Sequence, residues 1–132
     1  MTIDKHIRVA IIDDNELVRS GYHMFLGACD DLELVGMATD GSEATSLIAE
    51  TQPDVVLMDL QMPGMNGALA TAAIKQSYPR VQVIILSGHG DQDLADQALA
   101  NGAVSCLNKD VSIDEMANAI RAAHSNHTML AP

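Results

Sequence analysis

The sequence predicts a doubly wound α/β domain, in which helices cover both faces of a five-stranded parallel sheet. Short apolar runs, mostly rich in β-branched residues, alternate along the whole chain with longer stretches that have helical spacing. Such alternation implies parallel pairing through right-handed crossovers. With 132 residues, the chain is long enough for one domain with its own core.

Five apolar runs are predicted to form the strands. In chain order they are Arg8–Asp13, Leu32–Ala38, Val55–Asp59, Val81–Leu86 and Ala103–Leu107. Nearly continuous hydrophobicity is typical of strands that are buried on both faces of a sheet. Glycines punctuate the connections between the elements, at Gly27, Gly41, Gly67 and Gly102.

The spacing of apolar residues predicts five helices and the inward faces of the first and the last. The predicted inward residues are Leu17, Gly21, Tyr22 and Phe25 in the first helix, and Ile113, Met116, Ala117 and Ile120 in the last. Met24 is also assigned to the core. Asn15 is predicted to cap the first helix, and Ser112 with Glu115 has the capping-box pattern of a helix start.

The composition limits where the protein works and what it binds. Its 18 acidic and 7 basic residues give a formal net charge of -11, and such a surface repels nucleic acid and anionic lipid headgroups. No stretch approaches the roughly 20 apolar residues of a membrane span, and the first residues contain no apolar run that resembles a secretory signal. We therefore expect a cytoplasmic protein with reduced thiols that contacts neither membrane nor nucleic acid directly.

Polar side chains follow four of the predicted strands. In chain order they are Asp13 and Asp14, Asp59, Ser87 and Lys109. One such aspartate alone could be an ordinary turn or helix-start residue. In a parallel sheet, however, the carboxyl ends of the strands share one edge, where ligands bind. Because converging carboxylates repel one another unless a cation lies among them, the pattern predicts a magnesium site.

This ordered set resembles the receiver domains of two-component response regulators, and the resemblance covers essentially the whole chain. Asp13 and Asp14 are similar to the family's acidic pair, and residues 59–67 (DLQMPGMNG) are similar to its phosphoacceptor segment. Ser87 and Lys109 fall where the family has its hydroxyl and its lysine. The resemblance implies the flavodoxin-like receiver fold, with residues 3–124 as the domain.

The resemblance also implies a mechanism. Asp59 would accept a phosphoryl group from a phosphohistidine of a sensor histidine kinase or phosphotransfer protein. Asp13 or Asp14 would hold Mg²⁺ together with Asp59 and the main-chain carbonyl of Gln61. The phosphoryl oxygens would be bound by Ser87, Lys109 and the backbone N–H groups of Leu60 and Gly88. Such a protein is no enzyme beyond self-catalysed phosphoryl transfer and autodephosphorylation, and homodimerisation on phosphorylation stays open.

Two departures from the family pattern concern the switch. Cys106 stands three positions before Lys109, where an aromatic residue is common, and Asp110 follows the lysine, where proline is common. We expect Ser87 to move toward the phosphoryl group without displacing a ring, so that the outer face of the fifth strand changes little. The responsive surface would lie within residues 92–123. The peptide bond before Asp110 is expected to be trans.

The Lys109-Asp110 pair is similar to the NarL/LuxR-type transcription regulators, which continue into a helix-turn-helix domain. Residues 125–132 lose helical periodicity, end in proline and resemble the linker of that subgroup. The favoured interpretation is the regulatory part of such a regulator, with the DNA-binding domain absent from this chain. A stand-alone receiver that acts on protein partners is the alternative. His89 is either a residue that tunes dephosphorylation or an ordinary exposed loop residue.

Two other functions on related folds have less support. A haloacid dehalogenase-like phosphatase has Asp-x-Asp on its first strand, whereas this strand ends in Asp13-Asp14-Asn15. A flavodoxin-like cofactor module would bind a phosphate at the loop after the first strand. That loop is acidic here and repels phosphate.

Overall fold

The computed structural model describes the backbone of residues 6–130 and the side chains of residues 6–125. Its strands are β1 (Ile7–Ile12), β2 (Leu32–Ala38), β3 (Val55–Asp59), β4 (Gln82–Ser87) and β5 (Ser105–Asn108). Its helices are α1 (Glu16–Gly27), α2 (Ala44–Thr51), α3 (Gly67–Ser77), α4 (Gln92–Ala100) and α5 (Ile113–Leu130), with a 3₁₀ turn at Gly41–Glu43. The predicted fold class is confirmed; β2 and β3 have the predicted bounds, and the ends of β1, β4 and β5 differ from prediction by one or two residues.

The five strands are all parallel and lie in the order β2-β1-β3-β4-β5. The chain steps outward from β1 to β2 and then crosses back over β1 to β3. This reversal opens a crevice at the carboxyl ends of β1 and β3, because their connections leave in opposite directions. Asp13 follows β1 and Asp59 ends β3, so both lie at the crevice.

Alternate residues of the strands pack into two separate hydrophobic cores, one on each face of the sheet. In β1, Val9 and Ile11 belong to the core beneath α1 and α5, whereas Ala10 and Ile12 belong to the core beneath α2, α3 and α4. All four are fully buried, as the two-residue period of a strand covered on both faces requires. The sheet is therefore a rigid platform for the residues at its edge.

The inward face of α1 differs from the prediction. Leu17 is 84% exposed and Met24 is 77% exposed, and Gly21 is exposed as well. The α1 residues that contact the core are Tyr22, Phe25 and Leu26. They follow the i, i+3, i+4 spacing of one helix face, and Leu17, Gly21 and Met24 share a different face. In α5, Ile113 is also exposed, at the first turn, whereas Met116, Ala117 and Ile120 are buried as predicted.

The predicted helix starts are confirmed. The Asn15 side chain accepts a hydrogen bond from the Val18 N–H at 3.1 Å. At α5, the Ser112 hydroxyl accepts from the Glu115 N–H at 3.1 Å, and the Glu115 carboxylate lies within reach of that hydroxyl. These contacts satisfy N–H groups that have no partner within the helix.

The last helix is longer than the sequence suggests. It continues to Leu130 instead of losing its helical character after residue 124. The predicted domain start at residue 3 and the final tail residues 131 and 132 lie outside the described residues. Neither α5 nor any other described helix is long and apolar enough to cross a membrane.

Candidate functional site at the carboxyl edge of the sheet

Asp59 ends β3 with its carboxylate buried at the carboxyl edge of the sheet and only 3% of the residue exposed. Its Oδ1 accepts a hydrogen bond from the Leu60 N–H at 2.8 Å. The same oxygen lies 2.9 Å from the Nζ of Lys109. A buried carboxylate is thus held between a lysine ammonium group and a backbone donor.

Two further carboxylates lie beside Asp59. Oxygens of Asp13, Asp14 and Asp59 all lie within 4.8 Å of one another. The Oδ1 of Asp13 accepts from the Asn15 N–H at 2.8 Å, but its Oδ2 is buried with no hydrogen-bond partner in the described part of the chain. A buried carboxylate oxygen is costly unless something compensates its charge. These residues therefore fit a hard divalent cation such as Mg²⁺, which prefers oxygen ligands.

The electrostatics of the site favour such a cation. Burial raises the pKa of the Asp13 carboxyl and outweighs the lowering effect of the Asn15 N–H, while the charge of Asp59 raises it further. Burial also raises the pKa of Asp59, against the lowering effects of Lys109. Burial, with the charges of Asp13 and Asp59, raises the pKa of the Tyr22 hydroxyl to about 12. The crevice resists further negative charge unless cations offset it.

Lys109 directly follows β5, as the sequence predicts. Burial alone would lower the pKa of its ammonium group, but the hydrogen bond and charge of Asp59 raise it overall. The Lys109 N–H donates to the Ser87 carbonyl at 2.9 Å and so joins the ends of β4 and β5. No described peptide bond is cis, as expected for the bond before Asp110. The ammonium group is therefore charged and aimed at Asp59.

The Ser87 hydroxyl is hydrogen-bonded to residues of β5 and not to Asp59. It donates to the Leu107 carbonyl at 3.3 Å and accepts from the Cys106 thiol at 3.5 Å. A hydroxyl that moved toward Asp59 would have to leave both partners. β5 therefore holds the hydroxyl in this conformation, and the expectation that the outer face of β5 changes little stays a prediction.

A cavity of about 440 Å³ lies between β5 and the connection from β4 to α4. Its lining includes Ser87, His89, Asp91, Leu99 and Cys106. The small Cys106 side chain stands at its wall, so there is room behind Ser87, as the sequence predicts. His89 is exposed at this connection, which leaves both of its interpretations open.

The segment after Asp59 is packed tightly against its surroundings. The Gly67 N–H donates to the Leu60 carbonyl at 2.9 Å, and a Cβ at Gly67 would overlap the carbonyl oxygen of Asp59. Only glycine fits this close backbone approach. The main-chain carbonyl of Gln61 lies in this tightly turned segment, and its role as a metal ligand stays a prediction.

Asp40 is a residue that sequence reasoning missed. Its Oδ1 accepts from the Ser42 N–H and from the Met65 N–H, both at 2.9 Å. It thus anchors the segment after Asp59 to the connection after β2. These hydrogen bonds lower the pKa of Asp40. The Asp40-Gly41 dipeptide predicts a turn. The hydrogen bond to Met65, 25 residues away, cannot be predicted from the sequence around Asp40.

Asp91 is the second residue that was missed, and it is buried with only 6% exposed. Its carboxylate accepts from the Gly88 N–H at 2.7 Å and from the Gln61 side-chain amide at 2.8 Å. The N–H group that the resemblance assigns to the phosphoryl group is therefore occupied by a carboxylate. An acidic residue before a helix is a known start signal, but the sequence does not reveal these partners.

Comparison with known families and proteins agrees with this geometry. The family described as "Response regulator receiver domain" matches residues 9–121. The chain is 44% identical over 124 residues to "Transcriptional regulatory protein LiaR" of Bacillus subtilis (strain 168), covering 94% of this chain and 59% of LiaR. It is 35% identical over 127 residues to "Oxygen regulatory protein NreC" of Staphylococcus carnosus (strain TM300), covering 96% and 58%.

Among solved structures, the fold is similar to that of a two-component response regulator of the LuxR family from Aurantimonas sp. SI85-9A1. The TM-score is 0.84 at 32% sequence identity, over 92% of this chain and 86% of that one. The chain spans about three fifths of the length of the curated relatives named above, which are covered to 59% and 58%.

Proposed function

Because the chain belongs to the response regulator receiver domain family, we propose that Asp59 accepts a phosphoryl group from a phosphohistidine. The observation that carries this proposal is the position of the Asp59 carboxylate, 2.9 Å from the Lys109 ammonium group and beside Asp13 and Asp14. A buried nucleophile that lies between an ammonium group and a cluster of carboxylates able to bind a metal ion is suited to phosphoryl transfer.

The phosphoryl group is transferred in a displacement at phosphorus. A carboxylate oxygen of Asp59 forms a bond to phosphorus while the bond from phosphorus to the donor's imidazole nitrogen breaks. The imidazole keeps the electron pair of that bond. The product is an acyl phosphate on Asp59, whose additional negative charge the Lys109 ammonium group offsets.

The acidic cluster supports magnesium as the cofactor. Asp13, Asp14 and Asp59 would hold it, with the main-chain carbonyl of Gln61, and the unpartnered Oδ2 of Asp13 is the feature that fits a cation best. A bound Mg²⁺ supplies positive charge that offsets the charge of the transferring group. Asp13 also holds the start of α1 through the Asn15 N–H, which fixes the position of its carboxylate.

Phosphorylation would change the surface of the domain through Ser87. The acyl phosphate offers new acceptors to the hydroxyl, which now donates to the Leu107 carbonyl. If Ser87 leaves that partner, the connection to α4 moves with it, and a local charge change alters a surface elsewhere. We assign the responsive surface to residues 92–123, which include α4, β5 and most of α5.

The names and lengths of the curated relatives indicate what role this chain has in a larger protein. LiaR is named a transcriptional regulatory protein and is longer than the matched region. We propose that this chain is the regulatory part of a helix-turn-helix transcription regulator. Its donor would be a sensor histidine kinase or phosphotransfer protein in the cytoplasm, where free thiols such as those of Cys29 and Cys106 persist. The gene sequence downstream of the Pro132 codon tests this part directly.

Phosphorylation by a small donor tests the central proposal. The protein is incubated with acetyl phosphate or phosphoramidate and magnesium, and the products are separated by phosphate-affinity electrophoresis. We expect a shifted band for the wild type and for Asp93→Asn, an exposed control, but none for Asp59→Asn. A full-strength shifted band from Asp59→Asn, or from the wild type in excess chelator, would contradict the proposal.

A further inference from the structure

The carboxylate of Asp91 bridges two connections at the edge of the sheet. It accepts from the Gly88 N–H at 2.7 Å, in the connection after β4, and from the Gln61 amide at 2.8 Å, in the segment after Asp59. Asp91 is buried, so water competes little for these bonds. Hydrogen bonds to a charged acceptor are stronger than those between neutral groups.

The Gly88 N–H has a single proton, and it cannot serve two anions at full strength. Under the proposed function, this N–H would donate to an oxygen of the phosphoryl group on Asp59. The Asp91 carboxylate would then lose its bond to Gly88. Two anions close to one donor also repel each other, so phosphorylation would push Asp91 away from its present position.

Asp91 also lies where its movement would reach a helix. It stands at the N-cap position of α4, where its side chain makes no capping hydrogen bond but its main-chain carbonyl accepts from the Ala95 N–H at 2.8 Å. The cavity between β5 and the connection to α4 adjoins Asp91, so there is space for rearrangement. Since Cys106 carries no ring, a displaced carboxylate at the start of α4 offers a different route from the site to that helix.

We propose that Asp91 is a positioning residue that competes with the phosphoryl group for the Gly88 N–H and links its capture to the start of α4. In the unmodified protein the carboxylate holds the connection after β4 in its resting conformation. On phosphorylation the Gly88 N–H turns to the phosphoryl oxygen, and the displaced Asp91 shifts the first turn of α4, whose Ala95 N–H its main-chain carbonyl holds. This inference rests on the proposed function and specifies how the same site is regulated.

Beryllofluoride, which stands in for the phosphoryl group, tests the competition. We compare Asp91→Ala and Asp91→Asn with the wild type and with Asp93→Ala, which removes an exposed acid from the same first turn of α4. In magnesium buffer, Asp91→Ala should bind beryllofluoride about tenfold more tightly than the wild type, the order expected for losing a competing charged hydrogen bond. Asp91→Asn should show a smaller gain, and Asp93→Ala should bind like the wild type.

The resting proteins provide a readout that needs no ligand. The Gly88 amide resonance of Asp91→Ala should move to the position of a weaker hydrogen bond, and the α4 amides should exchange faster than in Asp93→Ala. Beryllofluoride should then change the first turn of α4 less in Asp91→Ala than in the wild type. Asp91→Asn repeats these measurements with the size of the side chain preserved, in case the alanine variant is poorly folded.

The outcomes separate this inference from the function on which it rests. If the wild type binds beryllofluoride but the Asp91 variants bind no more tightly, or the Gly88 amide is unchanged in them, the competition is refuted and the receiver function stands. If Asp91→Asn binds more weakly, Asp91 supports the bound state and the inference is also wrong. A wild type that binds no beryllofluoride would overturn the proposed function and this inference with it.

Discussion

The Ser87 hydroxyl lies 3.5 Å from the thiol of Cys106. The residue assigned to the phosphoryl group is therefore held by β5 in the present conformation, with the Leu107 carbonyl as its second partner at 3.3 Å. Any movement of Ser87 toward Asp59 breaks contacts with β5. Cys106 stands where the family pattern has an aromatic residue, and it touches the hydroxyl through a small side chain.

This arrangement predicts where beryllofluoride changes the structure. The largest amide chemical-shift changes should lie in residues 87–91, with smaller ones at Leu107, whose carbonyl loses a donor. In Ser87→Ala the changes in residues 88–91 should shrink, because the hydroxyl that pulls this connection is absent. The account of the switch is wrong if the largest changes centre on Cys106 and the rest of β5 while residues 88–91 are unaffected.

Removal of the Lys109 ammonium group should slow phosphorylation and destabilise the unmodified fold. Lys109→Ala leaves the Asp59 carboxylate buried without its cation, which should cost about 1 to 2 kcal/mol of unfolding free energy at neutral pH. Urea unfolding followed by circular dichroism measures this loss. In the double variant with Asp59→Asn, most of the stability should return. Equal losses in the single and double variants would show that the ion pair is not the cause.

Asp14 should contribute to magnesium affinity. Asp14→Ala removes one oxygen ligand from a group whose carboxylates lie within 4.8 Å of one another, and we expect Mg²⁺ to bind roughly tenfold more weakly or worse. Titration followed by NMR measures the affinity. Asp30→Ala, which removes an exposed acid from the turn between α1 and β2, is the matched control. Unchanged affinity in Asp14→Ala would show that Asp14 is not a ligand and would leave that role to Asp13 and Asp59.

The stability of the metal-free protein should depend on pH through Asp13. Because burial raises the pKa of this carboxyl, the stability present when it is protonated is lost as the pH rises through its pKa in the folded protein. At pH 7 without magnesium, Asp13→Asn should therefore be more stable than the wild type. The difference should vanish as the pH falls below 3.8, the ordinary value for this group.

Magnesium should reverse this difference, since the cation stabilises the wild-type carboxylates and binds the asparagine variant less well. Urea unfolding at several pH values, with and without magnesium, follows both effects. If Asp13→Asn were less stable than the wild type at neutral pH without metal, the Asp13 carboxylate would have a compensating partner, and its role as a metal ligand would lose its main support.

The sequence predicts the fold and much of the site because the relevant signals are local. Asp13 and Asp59 end apolar runs, Lys109 comes two residues after one, and parallel strands bring such positions to one edge. The partners of Asp40 and Asp91 are different. Each of these hydrogen-bond partnerships depends on how two connections pack against each other. That packing cannot be predicted from the residue types or from their spacing over a few positions.

The face of α1 shows a second reason for a wrong prediction. Leu17 and Met24 share one face of the helix, and Tyr22, Phe25 and Leu26 share another. Apolar spacing alone does not decide which of two such faces turns toward the sheet. The larger apolar area of the second face favours its burial.

The identity of the phosphorylated residue tests the central claim most directly. Sodium borohydride reduces an aspartyl phosphate to homoserine, so the modified position can be read by tandem mass spectrometry of peptides. After treatment with acetyl phosphate and magnesium, we predict homoserine at position 59 and at no other aspartate, and none in excess chelator. Homoserine at Asp13 or Asp14 with Asp59 unmodified, or a stable phosphoryl group elsewhere in the chain, would contradict the account.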